Sequence, residues 1–195
     1  MMKTLTFELP QDIPLRVSRS DFAVIAAVNR DLRLERTADG TLIVNPPTGS
    51  ESGRRNLSIS AQLWIWAEAN DTLGVAFDSS AGFELPNGAI RAPDTSWITR
   101  DRWDALSQAE KEGFAPLCPD FVIELRSNSD KLATLQDKMR EYLANGARLG
   151  WLIDPQNQRV EIYRSGQAVE VLEQPKQLSG EEILPHFTLN LQRIW

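Results

Sequence analysis

The stretch from Cys118 to Ser127, CPDFVIELRS, holds a carboxylate inside an apolar run. The run is typical of a buried strand, because β-branched and aromatic residues stand between a proline and a polar Ser-Asn-Ser-Asp loop. Glu124 lies inside this strand, where an ionised carboxylate is costly unless it is paired or binds a cation. Arg126 is expected on the same side, since strand side chains alternate. The two residues therefore form either an ion pair that only stabilises the fold or part of a functional site.

A second carboxylate, Asp94, stands in the sequence Arg-Ala-Pro-Asp immediately before a predicted strand at residues 95–98. If this strand pairs with the strand of Glu124, the two carboxylates come close together. Mg²⁺ in proteins is usually held by one or two carboxylates and several waters, so Asp94 and Glu124 would suffice as its protein ligands. The alternative is an ordinary turn aspartate after proline, combined with a structural glutamate.

Lys138 is the third candidate, at the border of the apolar stripe of a helix predicted over Asp130–Asn145. A lysine at this position can extend its ammonium group towards the edge of the sheet and reach the carboxylates. In a hydrolase the ammonium group would orient or activate water and offset developing negative charge. The alternative is an exposed lysine that forms an ordinary i,i+3 pair with Glu141.

Composition restricts the class of protein. The 195 residues are 42% hydrophobic and 25% charged, which predicts a single globular, soluble domain over residues 1–195. The net charge of −6 argues against a broadly basic nucleic-acid-binding protein. Cys118 is the only cysteine, which excludes an intrachain disulfide and suits a reducing compartment. The N-terminal sequence resembles neither a secretory signal nor a membrane span, so we expect a cytoplasmic protein that does not bind membranes.

The hydrophobic pattern predicts a chain of mixed helices and strands. Helices are expected from Ser20 onwards, from Asn56 onwards and over Asp130–Asn145, and residues 46–56 are expected to form a loop. Strands are predicted at residues 3–8, as an antiparallel pair within 31–45, and at 72–78, 82–85, 95–98, 119–126, 149–153 and 159–163. Residues 99–117 are predicted to be a surface helix or an insertion with helical turns, residues 165–184 a small β meander, and residues 186–195 a final strand or tail.

Several common kinds of site are excluded. His186 is the only histidine, which excludes catalytic triads based on histidine and His-rich zinc sites. Glycine-rich phosphate-binding loops are absent. Arg54 and Arg55 stand at a predicted helix start, where their positive charges oppose the helix dipole. Either they contact a phosphate or they only make the surface more soluble.

The order of these motifs resembles that of a large family of restriction-endonuclease-like proteins within the PD-(D/E)XK nuclease superfamily. The resemblance rests on Pro93-Asp94, on residues 119–127, on the helix with Lys138 and Tyr142, and on residues 150–155, and it runs from about Arg33 to the C-terminus. It implies an α/β (α+β) fold with a restriction-endonuclease-like core, in which helices flank a central mixed β-sheet, and with extra N-terminal strands. It also implies a site that cleaves phosphodiester bonds in DNA, with Asp94 and Glu124 as ligands of Mg²⁺ or Mn²⁺.

One position departs from the superfamily pattern, which has a lysine two residues after the glutamate where this chain has Arg126. Arginine stays protonated and cannot exchange a proton with water as lysine can. The resemblance implies that Lys138 on the following helix takes the role of that lysine, and that the bidentate fork of Arg126 could hold a phosphate. It also implies an acidic residue near the site in the loop before the first long helix, which makes Glu51 a further candidate.

Three function hypotheses from different classes remain. The first is a metal-dependent endonuclease in which Asp94, Glu124 and Lys138 act together, and the resemblance implies a homodimer, because two DNA strands need two sites. The second is a non-catalytic binding or scaffold protein that kept the nuclease fold, which the acidic charge and Arg126 favour. An α/β enzyme of other chemistry is a third, less supported hypothesis, since no nucleophile motif or cofactor fingerprint is present. Convergence of the three side chains at one open cleft would favour the first hypothesis.

Overall fold

The computed structural model describes residues 14–195, so the strand predicted at residues 3–8 lies outside the described residues. The described chain contains both helices and strands. In chain order these are α1 (Arg19–Val28), β1 (Arg33–Arg36), β2 (Leu42–Asn45), α2 (Ser50–Ala69), β3 (Gly74–Asp78), β4 (Phe83–Glu84), β5 (Ile90–Arg91), β6 (Thr95–Thr99), α3 (Arg100–Asp104), α4 (Gln108–Glu112), β7 (Phe121–Leu125), α5 (Leu132–Ala144), β8 (Leu149–Asp154), β9 (Arg159–Arg164), β10 (Glu170–Glu173), β11 (Gln177–Ser179) and β12 (Thr188–Asn190).

A six-stranded mixed sheet forms the centre, with strand order β10-β9-β8-β7-β6-β3. Its neighbouring strands are antiparallel except for β7 and β8, which are parallel. Every residue of β7 and β8 is buried. Such complete burial explains why both strands are continuous apolar runs in the sequence rather than alternating ones. The predicted α+β fold with a central mixed sheet flanked by helices is confirmed.

Helices cover both faces of this sheet. On one face, Ile59, Leu63 and Ala67 of α2 pack in a core with Phe121, Ile123 and other sheet residues. On the other face, Met139 and Tyr142 of α5 pack with Val122, Leu152 and their neighbours. Because side chains alternate along β7, Glu124 belongs to the face that α5 covers. Each large apolar side chain buried in these layers stabilises the fold by about 1.5–3 kcal/mol.

The connection between the two parallel strands positions α5 over the sheet. Parallel neighbours need a crossover connection, and α5 is that crossover between β7 and β8. The helix ends at Ala144, and Gly146 follows it with φ 110°, a conformation that glycine adopts without strain. The predicted helical stop at Gly146 is therefore confirmed.

A smaller sheet with strand order β2-β1-β5-β4 lies beside the central one. The hairpin predicted within residues 31–45 is confirmed, with Arg33 opposite Asn45 and Arg36 opposite Leu42. Strand β1 also pairs with β5 through Arg36 and Ile90. This pairing places β1 and β5 next to the start of β6, which follows Asp94.

Two element predictions need correction. The loop predicted over residues 46–56 is wrong from residue 50 onwards, because α2 begins at Ser50. The sequence did not indicate this start, since the first residues of the helix, Ser-Glu-Ser-Gly-Arg-Arg, carry no apolar periodicity. The meander predicted over 165–184 is divided instead, because β10 extends the central sheet and β11 pairs with β12. Residues 99–117 contain the two short helices α3 and α4, as predicted. Within residues 14–195, no helix is long and apolar enough to cross a membrane.

Candidate active site

Asp94 and Glu124 lie side by side at the ends of two paired strands. Strands β6 and β7 are antiparallel with Thr95 opposite Ile123, and the same register continued by one residue sets Asp94 opposite Glu124. Directly opposed residues on antiparallel strands point to the same face, with Cβ atoms about 4.5–5.5 Å apart. Asp94 is further held by the backbone N–H of Leu125, which donates to its Oδ2 atom at 2.9 Å. The pairing of the two strands that carry these acids is as the sequence predicts.

Lys138 of α5 reaches this pair from the adjacent helix. Its Nζ atom lies 2.8 Å from Oε1 of Glu124 and 2.9 Å from Oε1 of Glu35, and it donates to the carbonyl oxygen of Ala92 at 3.4 Å. The side chain is 13% exposed. The alternative of an exposed lysine paired with Glu141 is therefore wrong, because the ammonium group turns from the helix surface towards the sheet.

Glu35 is a site residue that the sequence analysis missed. It lies on β1, is 4% exposed, and bridges two cations, with Oε2 3.1 Å from Arg91 and Oε1 2.9 Å from Lys138. In the sequence, Leu34 alternates with polar neighbours, a pattern typical of a strand with one apolar and one solvated face. In the structure Glu35 is buried instead and contacts Lys138 of α5 and Arg91 of β5, and nothing local in the sequence signals those contacts.

A further set of polar contacts holds the cluster in place. Tyr142 donates its hydroxyl proton to Oε1 of Glu124 at 2.9 Å. Arg91 donates to Glu141 of α5 at 2.6 Å, and Asn87 donates to the same carboxylate at 2.9 Å. These charge-assisted bonds connect α5 to the smaller sheet and so restrict the position of Lys138.

Burial and neighbouring charges perturb the protonation of the cluster. Burial raises the pKa of Glu124 to about 7; Lys138 opposes this rise, and the negative charges of Asp94 and Glu35 add to it. Burial also raises the pKa of Asp94. The pKa of Glu35 is lowered despite its burial, because Lys138 and Arg91 stabilise its charge. The pKa of Lys138 is raised, since the attraction of Glu124 and Glu35 outweighs the opposing effect of burial. Perturbed carboxylates in a cleft are typical of functional sites.

The donor set fits a hard divalent cation. Oε1 of Glu124 is engaged by Lys138 and Tyr142, and its Oε2 atom has no hydrogen bond among the described residues. Oδ2 of Asp94 accepts from the backbone N–H of Leu125, while its Oδ1 atom lies 3.5 Å from the guanidinium group of Arg33 and accepts no hydrogen bond shorter than that among the described residues. Each carboxylate thus keeps one oxygen for a ligand, and Mg²⁺ prefers carboxylate oxygens together with waters. Residues 14–195 contain no group of three or more His, Cys, Asp or Glu side chains arranged to hold a metal ion.

A cleft of about 480 Å³ opens beside these groups. Its walls include Asp94, Glu124, Lys138 and Glu35. Other parts of the wall come from the end of β2 and the loop after it, from the start of α2 and from the loop after β7. They are mostly small or polar residues: Asn45, Pro46, Pro47, Thr48, Ser52, Asn56, Ser127, Ser129 and Asp130. The wall also includes Arg33, whose buried Nε atom has no hydrogen-bond partner.

Arg126 forms its ion pair with Asp154 and not with Glu124. Strand β7 ends at Leu125, so the alternation of side chains does not extend to Arg126. The guanidinium group of Arg126 lies 2.8 Å from Asp154 at the end of β8 and donates to the carbonyl oxygen of Asp130. The interpretation of Glu124 and Arg126 as a structural ion pair is wrong, and Arg126 is not among the residues that line the cleft.

Glu51 lies in the first turn of α2 rather than in a loop. Its carboxylate is exposed and pairs with Arg54 at 2.7 Å and with Arg55 at 3.3 Å, contacts expected of i,i+3 and i,i+4 neighbours. Ser52 and Asn56 of the same helix line the cleft, whereas Glu51 does not.

Cys118 is a buried residue without a catalytic environment, as the sequence suggests. Its side chain is fully buried next to the carbonyl oxygen of Tyr142, and burial raises the pKa of its thiol to about 12. A thiol in this state is not a nucleophile at neutral pH.

Comparisons with known proteins agree with this description. A family model described as "Uma2: Putative restriction endonuclease" matches residues 19–192. Among solved structures, one described as "a putative nuclease belonging to DUF820", from Anabaena variabilis ATCC 29413, superposes with a TM-score of 0.70 at 20% sequence identity. That match covers 83% of this chain and 88% of the other, and at this level of identity it shows a shared fold. The comparison with curated proteins finds no match.

Proposed function

The chain belongs to the Uma2 family, described as putative restriction endonucleases, and from this premise we propose that it is a metal-dependent endonuclease that hydrolyses phosphodiester bonds in DNA. The proposed protein ligands of the cation, Mg²⁺ or Mn²⁺, are Asp94 and Glu124. The observation that carries the proposal is the meeting of these two acids and the Lys138 ammonium group at one cleft. Groups from the residue before β6, from β7 and from α5 converge there although they are far apart in the sequence.

The proposed chemistry requires charge neutralisation at a phosphodiester and an activated water. The bound cation would supply Lewis-acid activation and part of the positive charge. Lys138 contributes a fixed positive charge next to Glu124, which offsets the negative charge that develops on the phosphate during attack. Because Glu35 and Glu124 raise its pKa, Lys138 acts in this proposal as a cation and hydrogen-bond donor rather than as a base.

Arg33 is proposed to bind the phosphate, a role that the resemblance assigned to Arg126. Its guanidinium group lines the cleft within 3.5 Å of Asp94, whereas that of Arg126 is engaged by Asp154. A planar guanidinium group can donate two parallel hydrogen bonds to phosphate oxygens. The buried Nε atom of Arg33 has no hydrogen-bond partner among the described residues, so the protein does not saturate this guanidinium group.

A non-catalytic binding protein with the same fold is the second candidate. The observation that favours it is the saturation of Lys138, whose ammonium group already contacts Glu124, Glu35 and the carbonyl oxygen of Ala92. A lysine held in this way can serve as the structural centre of a buried network. The two candidates differ in one respect, since only the endonuclease requires a divalent cation for turnover.

The test is cleavage of supercoiled plasmid and of single-stranded DNA by the full chain with Mg²⁺ or Mn²⁺. We expect cleavage by the natural protein and none with a chelator. Asp94→Asn and Glu124→Gln should abolish cleavage while circular dichroism remains unchanged. Glu170→Gln on β10, a carboxylate that pairs only with Arg164 among the described residues, is the matched control and should cleave normally. Equal rates in all four proteins would reject the assignment.

A further inference from the structure

A second groove lies between α1, the turn that joins β3 to β4, and the segment that runs from α3 to Ala115. Its volume is about 690 Å³, which is within the range of ligand-binding clefts. None of the residues that line it also lines the cleft of the proposed cation site. We call it the α1 groove and define it by Ala27, Arg30, Phe77, Trp103, Lys111 and Phe114.

Aromatic rings form a large part of the lining of the α1 groove. The centroids of the Phe77 and Trp103 rings lie 5.0 Å apart, and Phe114 contacts Phe22 of α1 with centroids 5.5 Å apart. Phe77, Trp103 and Phe114 are only partly buried, so part of each ring stays accessible from the groove. Flat apolar surfaces of this kind suit a planar ligand group, and nucleobases stack on aromatic side chains whatever their identity.

Two cationic side chains give the α1 groove a positive charge. Arg30 follows the end of α1 and Lys111 lies on α4, and neither forms an ion pair within residues 14–195. The ammonium group of Lys111 lies 5.4 Å from the centroid of the Trp103 ring, a cation–π contact that holds it beside the aromatic surface. The lining includes one carboxylate, that of Glu112, so these two cations leave a net charge of +1 in a protein of net charge −6.

A short turn connects the α1 groove to the cleft of the proposed cation site. Arg30 lines the groove and Arg33 lines the cleft, and between them the backbone N–H of Leu32 donates to the carbonyl oxygen of Asn29. Because Arg30 and Arg33 are three residues apart, their Cα atoms lie at most about 11 Å from each other. A chain of phosphates that reaches Arg33 can therefore continue past the turn to Arg30, which favours a polyanionic chain over a small free ligand.

We propose that the α1 groove binds a single-stranded segment of the DNA substrate, with bases against its aromatic rings and phosphates next to Arg30 and Lys111. The class of ligand rests on the proposed function, and the site is additional to the cleft. The bases of a single strand are free to stack on protein side chains, whereas those of a duplex are paired and stacked on one another. Binding of this kind adds affinity without reading the sequence.

The experiment is fluorescence anisotropy of the full chain with a labelled oligodeoxythymidylate at several salt concentrations, with a chelator present so that no cleavage occurs. Arg30→Gln and Lys111→Gln should each weaken binding at least about threefold. Each should also reduce the slope of log K against log salt by about 0.7, the contribution of one phosphate contact on a single strand. Arg193→Gln is the matched control and should change neither quantity, because Arg193 is exposed, forms no ion pair within residues 14–195 and lies outside both the groove and the cleft.

Two further measurements test the apolar part of the α1 groove. Ala27→Glu places a negative charge at an exposed helix position in the groove and should weaken binding at least about tenfold. Ala61→Glu makes the same change at an exposed position of α2 outside the groove and should bind as the natural protein does. An abasic strand of equal length keeps the phosphates but lacks the bases, so the natural protein should bind it at least about fivefold more weakly.

Three results would each overturn the proposal: no binding of the oligonucleotide, equal dissociation constants for the natural protein and the groove variants, or equal binding of the abasic strand. Plasmid cleavage with Mn²⁺, measured on the same proteins, separates these results from a failure of the proposed function. Cleavage by a protein whose groove variants bind the strand normally would reject this site alone. Strand binding that depends on the groove, without any cleavage, would support this site and reject the proposed catalysis.

Discussion

At the scale of single residues, the position of Lys138 depends on two carboxylates from different elements. Glu124 of β7 and Glu35 of β1 lie at nearly equal distances from the ammonium group, 2.8 and 2.9 Å. Arg91 also forms an ion pair with Glu35. The side chains of Glu124, Glu35 and Lys138 are almost fully buried. Glu35 therefore positions a cation whose second partner is a proposed metal ligand. Mutation of residues that orient a metal ligand without binding the metal typically lowers metal affinity or activity by about 10- to 100-fold.

Glu35→Gln tests this positioning role. Replacing the charged carboxylate by an amide weakens the bond to Lys138, so we expect kcat to fall about 10- to 100-fold with KM nearly unchanged. The control is Glu141→Gln, which removes the same charge and also contacts Arg91, but has no contact with Lys138 among the described residues. Equal losses in both variants would show that only the net charge of the network matters.

The protonation of Glu124 predicts a pH dependence of stability in the chelator-treated protein. Its folded-state pKa of about 7 lies above the ordinary value of 4.5, so the folded protein binds this proton more tightly than the unfolded chain does. The stabilisation is complete below pH 4.5 and is lost as the pH rises through about 7. The expected loss in the free energy of unfolding is about 3 kcal/mol.

Urea denaturation between pH 5 and pH 8 measures this effect. The amide of Glu124→Gln does not titrate, so the free energy of unfolding of this variant should change less with pH over this range than that of the natural protein. The free energy of unfolding of Glu170→Gln should change with pH as that of the natural protein does. If the free energy of unfolding changed equally with pH in the natural protein and in Glu124→Gln, the raised pKa of Glu124 would be contradicted.

At the scale of elements, the site depends on the pairing of β3, β6 and β7. Gly74 of β3 pairs with Thr99 at the end of β6 that is remote from Asp94. A Cβ atom at Gly74 would collide with the carbonyl oxygen of Ile98 and the ring of Trp97. The close approach of these two strands thus requires glycine.

Gly74→Ala is expected to destabilise the protein by about 1–3 kcal/mol through this overpacking. Gly53 in α2 is the matched control, since a Cβ atom there would meet nothing within 4 Å. Gly53→Ala should stabilise the protein by about 0.5–1 kcal/mol, because alanine favours the helix. Thermal unfolding distinguishes the two, and a destabilised Gly53→Ala or a neutral Gly74→Ala would contradict the described packing.

At the scale of the whole molecule, the sequence predicts the parts of the site that lie on strongly patterned elements. Glu124 stands out as a charge in a buried apolar run, and Lys138 stands out at the border of a clear helical stripe. Their meeting with Asp94 requires only that two strands pair and that the following helix folds back, which the parallel β7–β8 pair enforces. The mixed sheet and its flanking helices follow from the same patterns.

Other parts depend on contacts that no local pattern contains. Glu35 looks solvent-exposed in an alternating strand but is buried, and its partners are Lys138 of α5 and Arg91 of β5. Arg126 meets Asp154 because β8 lies parallel to β7, a contact between residues 28 positions apart. The start of α2 is missed because its first turn is polar and is stabilised by Glu51 with Arg54 and Arg55. Long-range packing decided the first two of these cases, and local i,i+3 and i,i+4 ion pairs decided the third.

Binding of Mn²⁺ to the full chain, measured by electron paramagnetic resonance, tests the central claim most directly, because it reports the cation site without requiring turnover. We expect one site per chain in the natural protein, weakened at least about tenfold in both Asp94→Asn and Glu124→Gln. Glu170→Gln should bind as the natural protein does. Absence of Mn²⁺ binding, or equal affinity in all four proteins, would contradict a shared cation between these two strands.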